Sequence, residues 1–187
     1  MHVAIEVATA PTIFERLQRG SLDAGLEWGP VLPTSLEAME LWVERFGVIA
    51  SAQYASAGDG RITREQFLQT PFITLQYGLG APSFIEIWLL EHNLLPSSVT
   101  RLPSIDAVKR LVEANLGLTV LSHLSVEREL NTGYLAWLEM DGFGMARPLA
   151  LLTRKQDRSP LLARFVAFVR EYAVDRASKV RSCQVWY

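Results

Sequence analysis

Residues 2–26 read HVAIEVATAPTIFERLQRGSLDAGL, and their periodicity decides the fold class. Val3, Ile5 and Val7 alternate with small or polar neighbours, which is the two-residue period of a strand. Thr9 or Thr12 then stands near the start of a segment in which Ile13, Phe14 and Leu17 recur at helical spacing behind Pro11, and Gly20 supplies the stop. Residues 22–26 resume as a strand. Strand, helix and strand within about 25 residues form a short βαβ unit, which favours a parallel sheet whose loops at the strand C-termini line a ligand crevice. An α/β fold is expected.

The pattern continues along the chain. Residues 40–51 are strand-like, 52–60 form a soft stretch, Thr63 caps a short helix reaching Gln69, and 72–75 form a strand. The turn signal YGLGAPS (residues 77–83) opens a helix over 82–92, with Phe84, Ile85, Trp88 and Leu89 on its buried side. A strand over 98–102, a helix over 105–114 behind the N-cap Ser104, a strand over 118–121 and a helix over 125–130 come next. Strands near 134–138 and 148–153 precede a final amphipathic helix over 159–174, whose predicted apolar stripe is Leu161, Phe165, Phe168 and Tyr172.

Composition narrows the function classes. With 187 residues, 49% hydrophobic and 20% charged, the chain can bury one or two small cores, which excludes disorder, a coiled coil and a disulfide miniprotein. A formal charge of −2 gives no basic footprint for a phosphate backbone. Cys183 is the single cysteine, residues 1–20 show no secretion signal, and no apolar run approaches a membrane span, so a cytoplasmic protein without membrane contact is expected.

Two soft stretches, 52–60 and 141–147, bracket a block of a size suited to an inserted lobe. The expected division is a discontinuous first lobe, 1–50 with 146–187, and a second lobe, 51–145, joined by two crossings. Such lobes would enclose a cleft at facing strand ends, where helix N-termini suit a small anion or polar metabolite.

Five phrases carry a resemblance: ERLQRGSLDAGLEWGPV (15–31), FGVIAS (46–51), RITREQFLQTPFITLQYGLG (61–80), SIDAVKRLVEANLGLTVLSHLSVERELNTGYL (104–135) and RPLALLTRKQDRSPLLARFVAFVREYA (147–173). In this order and spacing they resemble the effector-binding domain of LysR-type transcriptional regulators, across nearly the whole chain. The resemblance implies two Rossmann-like lobes of the periplasmic-binding-protein type II kind. It implies a small-molecule effector, a homodimer or tetramer, and DNA contact only through a winged helix-turn-helix that this sequence does not include. The family's linker helix and the first strand–helix of the first lobe are also without a counterpart here, so the first lobe is expected to be incomplete. Residues 182–187, β-prone through Val185, Trp186 and Tyr187, are a candidate strand for that gap.

Carried over by position, the ligand residues are Thr9 and Trp28 in the first lobe and Gln76, Tyr77 and Gly78 in the second. Thr9 serves equally as a helix cap. Trp28 is a core aromatic or a flat wall favouring an aromatic effector. Gln76 and Tyr77 carry groups able to bond a carboxylate or amide, and Gly78 and Gly80 leave the backbone accessible. Ser104 is an N-cap whose helix end would also serve an anion, and Thr119 faces either core or cleft.

Enzyme readings find little support. The sequence has no G-x-S-x-G, P-loop, Rossmann glycine fingerprint or H-E-x-x-H, and neighbours on a strand such as Ser122 and His123 point apart. His2, His92 and His123 share no ligand spacing with each other or with Cys183. No metal, cofactor or catalytic residue is expected. A stand-alone solute-binding protein and an enzyme on a two-lobed scaffold are the rival readings. The first would need a secretion signal and the second a convergent acid/base pair.

Overall fold

The elements run α1 (Ala10–Arg19), β1 (Gly25–Trp28), β2 (Leu36–Ser51), α2 (Ala52–Ala57), α3 (Arg64–Gln69), β3 (Phe72–Leu75), α4 (Phe84–Glu91), β4 (Val99–Leu102), α5 (Ile105–Glu113), β5 (Thr119–Ser122), α6 (His123–Asn131), β6 (Leu135–Leu138), β7 (Ala146–Arg154) and α7 (Pro160–Cys183). This computed structural model describes residues 3–29, 32–76, 82–157 and 159–183, with side chains as far as 175. The contacts divide the chain into two compact units, Met1–Val43 with Arg147–Tyr187, and Glu44–Ala146. The long strand β2 starts in the first and ends in the second.

In the first unit β1 pairs antiparallel with β7, from Gly25↔Leu152 to Trp28↔Leu149, and β7 neighbours β2. Leu17, Leu36, Ala150 and Leu152 form the core, with Ile13, Phe14, Leu22 and Leu32 packed against it. Gly20, in the left-handed region at φ 75°, closes α1 by returning its N–H to Leu17 and Arg16. Arg154 completes that helix end by donating to the carbonyls of Leu17 and Leu22, both at 2.9 Å. The guanidinium also pairs with Asp157.

Three expectations fail in this unit. Residues 3–9 do not form the opening strand, so the predicted βαβ unit is absent, and β1 pairs antiparallel and begins three residues later than expected. Alternation alone builds no ladder. No described strand pairs with residues 3–9, and Ile5 and Val7 are left 88% and 93% exposed. On α7 the predicted stripe is rotated: Leu162 and Ala173 are buried and Phe165 is half-buried, whereas Leu161, Phe168 and Tyr172 are exposed. The helix also continues to Cys183, so Ser182 and Cys183 are helical rather than part of an added strand, and residues 184–187 lie outside the described residues.

The second unit carries the parallel character. β3 pairs β4 in parallel from Phe72↔Val99 to Leu75↔Leu102, and a parallel bridge at Phe72↔Leu118 ties β3 to β5. β5 and β6 each pair antiparallel with β2, giving the lateral order β4, β3, β5, β2, β6. At the β3–β5 junction Gly117 is required for space, since a Cβ there would lie 2.4 Å from the Pro71 carbonyl oxygen. Ile49, Ile73, Val108, Val112, Leu121, Val126 and Leu135 form the core. At roughly 1.5–3 kcal/mol per buried aliphatic side chain, this cluster outweighs any single cap.

Side-chain caps mark where α2 and α3 begin. Thr63 and Gln66 form the predicted start of α3 as a reciprocal capping box. The soft stretch 52–60 is instead largely the helix α2, because Ser51 accepts from the Tyr54 N–H at 3.0 Å and the following Ala-rich residues favour a helix.

Two packing features lend themselves to measurement. A Cβ on Gly47 would fall 2.0 Å from the Trp137 ring, which lies diagonally across the β2–β6 ladder. Gly47→Ala is expected to cost about 1–3 kcal/mol in urea unfolding, with part recovered when Trp137 is replaced by Leu. The second feature is Glu129, 4% exposed, which receives Lys109 at 3.1 Å and Arg128 at 2.9 Å. Burial pushes its carboxyl up. Hydrogen bonds from Lys109, its own backbone and Arg128, with the Lys109 charge, outweigh that and hold it below its ordinary value. The unfolded chain therefore binds more protons over that interval. The stabilisation is complete above the unfolded value and disappears as pH falls through the folded one. Glu129→Gln should be less stable than the parent at neutral pH and should lose less on acidification, as read from urea midpoints across the acid range.

Candidate ligand-binding edge

β3, β4 and β5 run in parallel, so their C-terminal ends fall along one edge of the second unit's sheet. By register Gln76 follows β3 at this edge, Pro103 and Ser104 follow β4, and Ser122 ends β5. The chain leaves β3 toward β4 and leaves β5 toward β6, on opposite sides. The neighbouring ends of β3 and β5 thus form a topological switch point, where open α/β sheets present a crevice. Gln76 is half-buried and extends the ladder by donating its N–H to the Leu102 carbonyl at 2.8 Å.

Among the described residues three helices start at this edge, and their N-termini differ. Ser83 and Glu86 close α4 with a capping box, and Glu86, 1% exposed, is also held by Arg101 at 3.0 and 2.5 Å. At α6 the Ser122 hydroxyl accepts from the Ser125 N–H at 3.2 Å, and Glu44, 5% exposed, accepts from the Leu124 N–H at 2.7 Å. Internal groups, including two nearly buried carboxylates, therefore occupy the anion-attracting ends of α4 and α6. At α5 the side chain of Ser104 makes no capping bond and is exposed. Asp106 in its first turn points to solvent and pairs with Lys109 at 3.4 Å.

The remaining candidates are spread more widely. Thr119 is fully buried at the opposite end of β5, paired with Ile49, and its Oγ1 has no hydrogen-bond partner. Tyr77 and Gly78 lie outside the described residues. In the first unit Thr9 occupies the α1 N-cap position without a capping side-chain bond, its hydroxyl meeting that of Thr12 at 3.0 Å. Trp28 ends β1 half-buried. Beside it Gly29, at φ 52°, leaves room for the Arg147 guanidinium, which donates to the Gly29 carbonyl at 3.4 Å. Burial pushes the pKa of Arg147 down, against the opposing charge of Glu27.

Sequence reasoning missed Glu44, Ser122 and Arg147. Ser122 had a legible signal, a serine between an apolar strand and a helical run. Glu44 had none, being 80 residues from the N–H it caps. Ser122 and His123 form no nucleophile–base pair: the Ser122 hydroxyl meets that of Ser125 at 2.7 Å, and the His123 ring lies 5.8 Å from that of Trp137. Among the described residues no three His, Cys, Asp or Glu gather as a metal centre, and no helix is long and apolar enough to cross a membrane.

The model of the LysR substrate binding domain family matches residues 1–174. The Hca operon transcriptional activator HcaR of Escherichia coli K12 is 26% identical over 159 residues, covering 84% of this chain and 53% of that protein. The RuBisCO operon transcriptional regulator of Allochromatium vinosum is 26% identical over 177 residues, covering 94% and 57%. The chain thus spans about half the length of the curated relatives it matches. Among solved structures, the Synechocystis PCC6803 CcmR regulatory domain in complex with 2-PG superposes with a TM-score of 0.76 at 20% identity, covering 92% of this chain and 83% of that one. The apo regulatory domain of HypT from Salmonella typhimurium gives 0.74 at 17% identity, covering 92% and 82%.

The carboxylate at α6 can be probed directly. Glu44→Ala removes a nearly buried, charge-assisted acceptor from a helix end and is expected to cost about 1–3 kcal/mol. Glu44→Gln, which keeps an acceptor without the charge, should cost less. Urea midpoints give both values, and faster amide exchange at Leu124 would locate the lesion.

Proposed function

The chain belongs to the LysR substrate binding domain family, and from that premise we propose that it senses a small-molecule effector for a LysR-type transcriptional regulator. It would act without catalysis of its own and contact DNA only through a winged helix-turn-helix elsewhere in the regulator. The two compact units are read as the two effector lobes. A homodimer or tetramer in the cytoplasm is the proposed assembly, which is how an effector preference for one arrangement becomes a change in promoter occupancy.

The observation that carries the reading is the switch-point edge of the second unit, with Gln76 at its centre and the α5 N-terminus beside it left uncapped by Ser104. On that edge Gln76 and Ser104 are proposed as ligand contacts, with Tyr77 and Gly78 adjoining in sequence. In the first unit Trp28 supplies a flat apolar wall beside the Arg147 cation, and Thr9 a hydroxyl. Thr119, sealed in the core at the far end of β5, is not among the proposed contacts. On the edge, the Gln76 amide and the α5 N-terminus favour a carboxylate, and in the first unit Trp28 favours an aromatic group.

Thermal-shift and calorimetric screening of the full-length regulator against aliphatic and aromatic carboxylates, amino acids and 2-PG is the direct test. At least one class should raise the melting temperature, by an amount that grows with ligand concentration. Gln76→Ala and Trp28→Ala should each weaken that response about tenfold or more, corresponding to ~1.4 kcal/mol or greater. No response from any class, or a response indifferent to both substitutions, would overturn the proposal.

A further inference from the structure

We propose that the first unit carries a small-molecule site of its own, lying between α7 and the β2–β7 strands and selective for zwitterions of the α-amino-acid type with an apolar side chain. The hollow there measures about 310 Å³, within the roughly 300–1,000 Å³ typical of small-molecule pockets. Met39 of β2, Leu151 of β7 and Val166 of α7 give it apolar walls, and Glu37, Thr153 and Arg170 supply its polar groups. Val166 and Arg170 stand one turn apart on α7. Glu37 with Met39, and Leu151 with Thr153, each follow the two-residue period of a strand, so the lining is a consequence of regular structure.

Two opposite charges line this hollow without meeting. The Arg170 Nε donates to the Met39 sulfur at 3.4 Å, a weak acceptor, and no carboxylate pairs with Arg170 among the described residues. The Glu37 carboxylate accepts from the Thr153 hydroxyl at 3.2 Å, and Thr153 is itself only 9% exposed, so the acid is anchored from beneath on one oxygen. A ligand bearing one charge of each sign satisfies both groups together, its carboxylate meeting the guanidinium fork and its ammonium meeting Glu37. A simple anion would be opposed by Glu37 and a simple cation by Arg170, which makes the pair a filter for zwitterions. The apolar walls then take the ligand's side chain out of water.

Calorimetric titration of the full chain with L-phenylalanine, L-leucine and L-methionine tests the site, with N-acetyl-L-phenylalanine and phenethylamine as single-charge comparators. Saturable binding of at least one amino acid is expected, at least tenfold tighter than either comparator. Arg170→Gln and Glu37→Gln should each weaken it at least tenfold with unchanged unfolding midpoints, and Arg170→Lys should fall between. The proposal is overturned if none of the three amino acids saturates, or if the N-acetyl derivative binds as tightly as phenylalanine. It is equally overturned by a response that survives Arg170→Gln but is lost in Gln76→Ala, since that response belongs to the edge of the second unit.

Discussion

The ladder between β2 and β5, from Phe46↔Ser122 to Ile49↔Thr119, is the constraint on which the second unit depends. It sets a strand of opposite direction between β5 and β6, and that placement brings Glu44 to the first turn of α6. A slip of one residue would turn Val48 and Ile49 to the wrong faces and carry Glu44 away from the Leu124 N–H. Both faces of the strand are buried there, so the slip would exchange Val48 and Ile49 between two packed layers and cost packing complementarity as well as the hydrogen bond. The ladder positions the carboxylate, and the carboxylate then finishes the helix.

The electrostatics of the edge follow from how its helix ends are occupied. A nearly buried carboxylate costs a large desolvation unless donors and cations surround it. Glu86 has Arg101 and the Ser83 N–H, and Glu44 has the α6 backbone. By filling α4 and α6 from within, the chain removes two of the three anion-attracting positions along the edge and leaves α5 with an exposed Ser104. Among the described residues, the α5 start is the helix end on this edge without a side-chain cap, and Gln76 follows the strand beside it.

Much of the local structure was legible in sequence because it rests on local physics. The strand over 72–75, the Thr63 cap, the Gly20 stop and the α5 segment were all readable from period and capping chemistry. Failures arose where a pattern permits two outcomes. On α7 one stripe runs through Leu161, Phe168 and Tyr172 and another through Leu162, Val166, Val169 and Ala173. The second turns inward, with Leu162 and Ala173 buried and Val166 and Val169 half-buried, while Phe168 and Tyr172 are left exposed. Among the described residues the alternation at 3–9 meets no neighbouring strand, so it has no ladder to join. Of the candidate edge, Gln76 and Ser104 were legible as residues following strands.

The sequence by itself determined the α/β class, most helix and strand centres and the family, because these depend on hydrophobic period, caps and ordered phrases within one stretch of chain. Only the tertiary structure decided that Glu44 caps a helix 80 residues away, that Thr119 is sealed in the core, and that Glu37 and Arg170 line one hollow. Each of those facts depends on strand order and register, and pairings between distant segments leave no periodic trace in either segment alone.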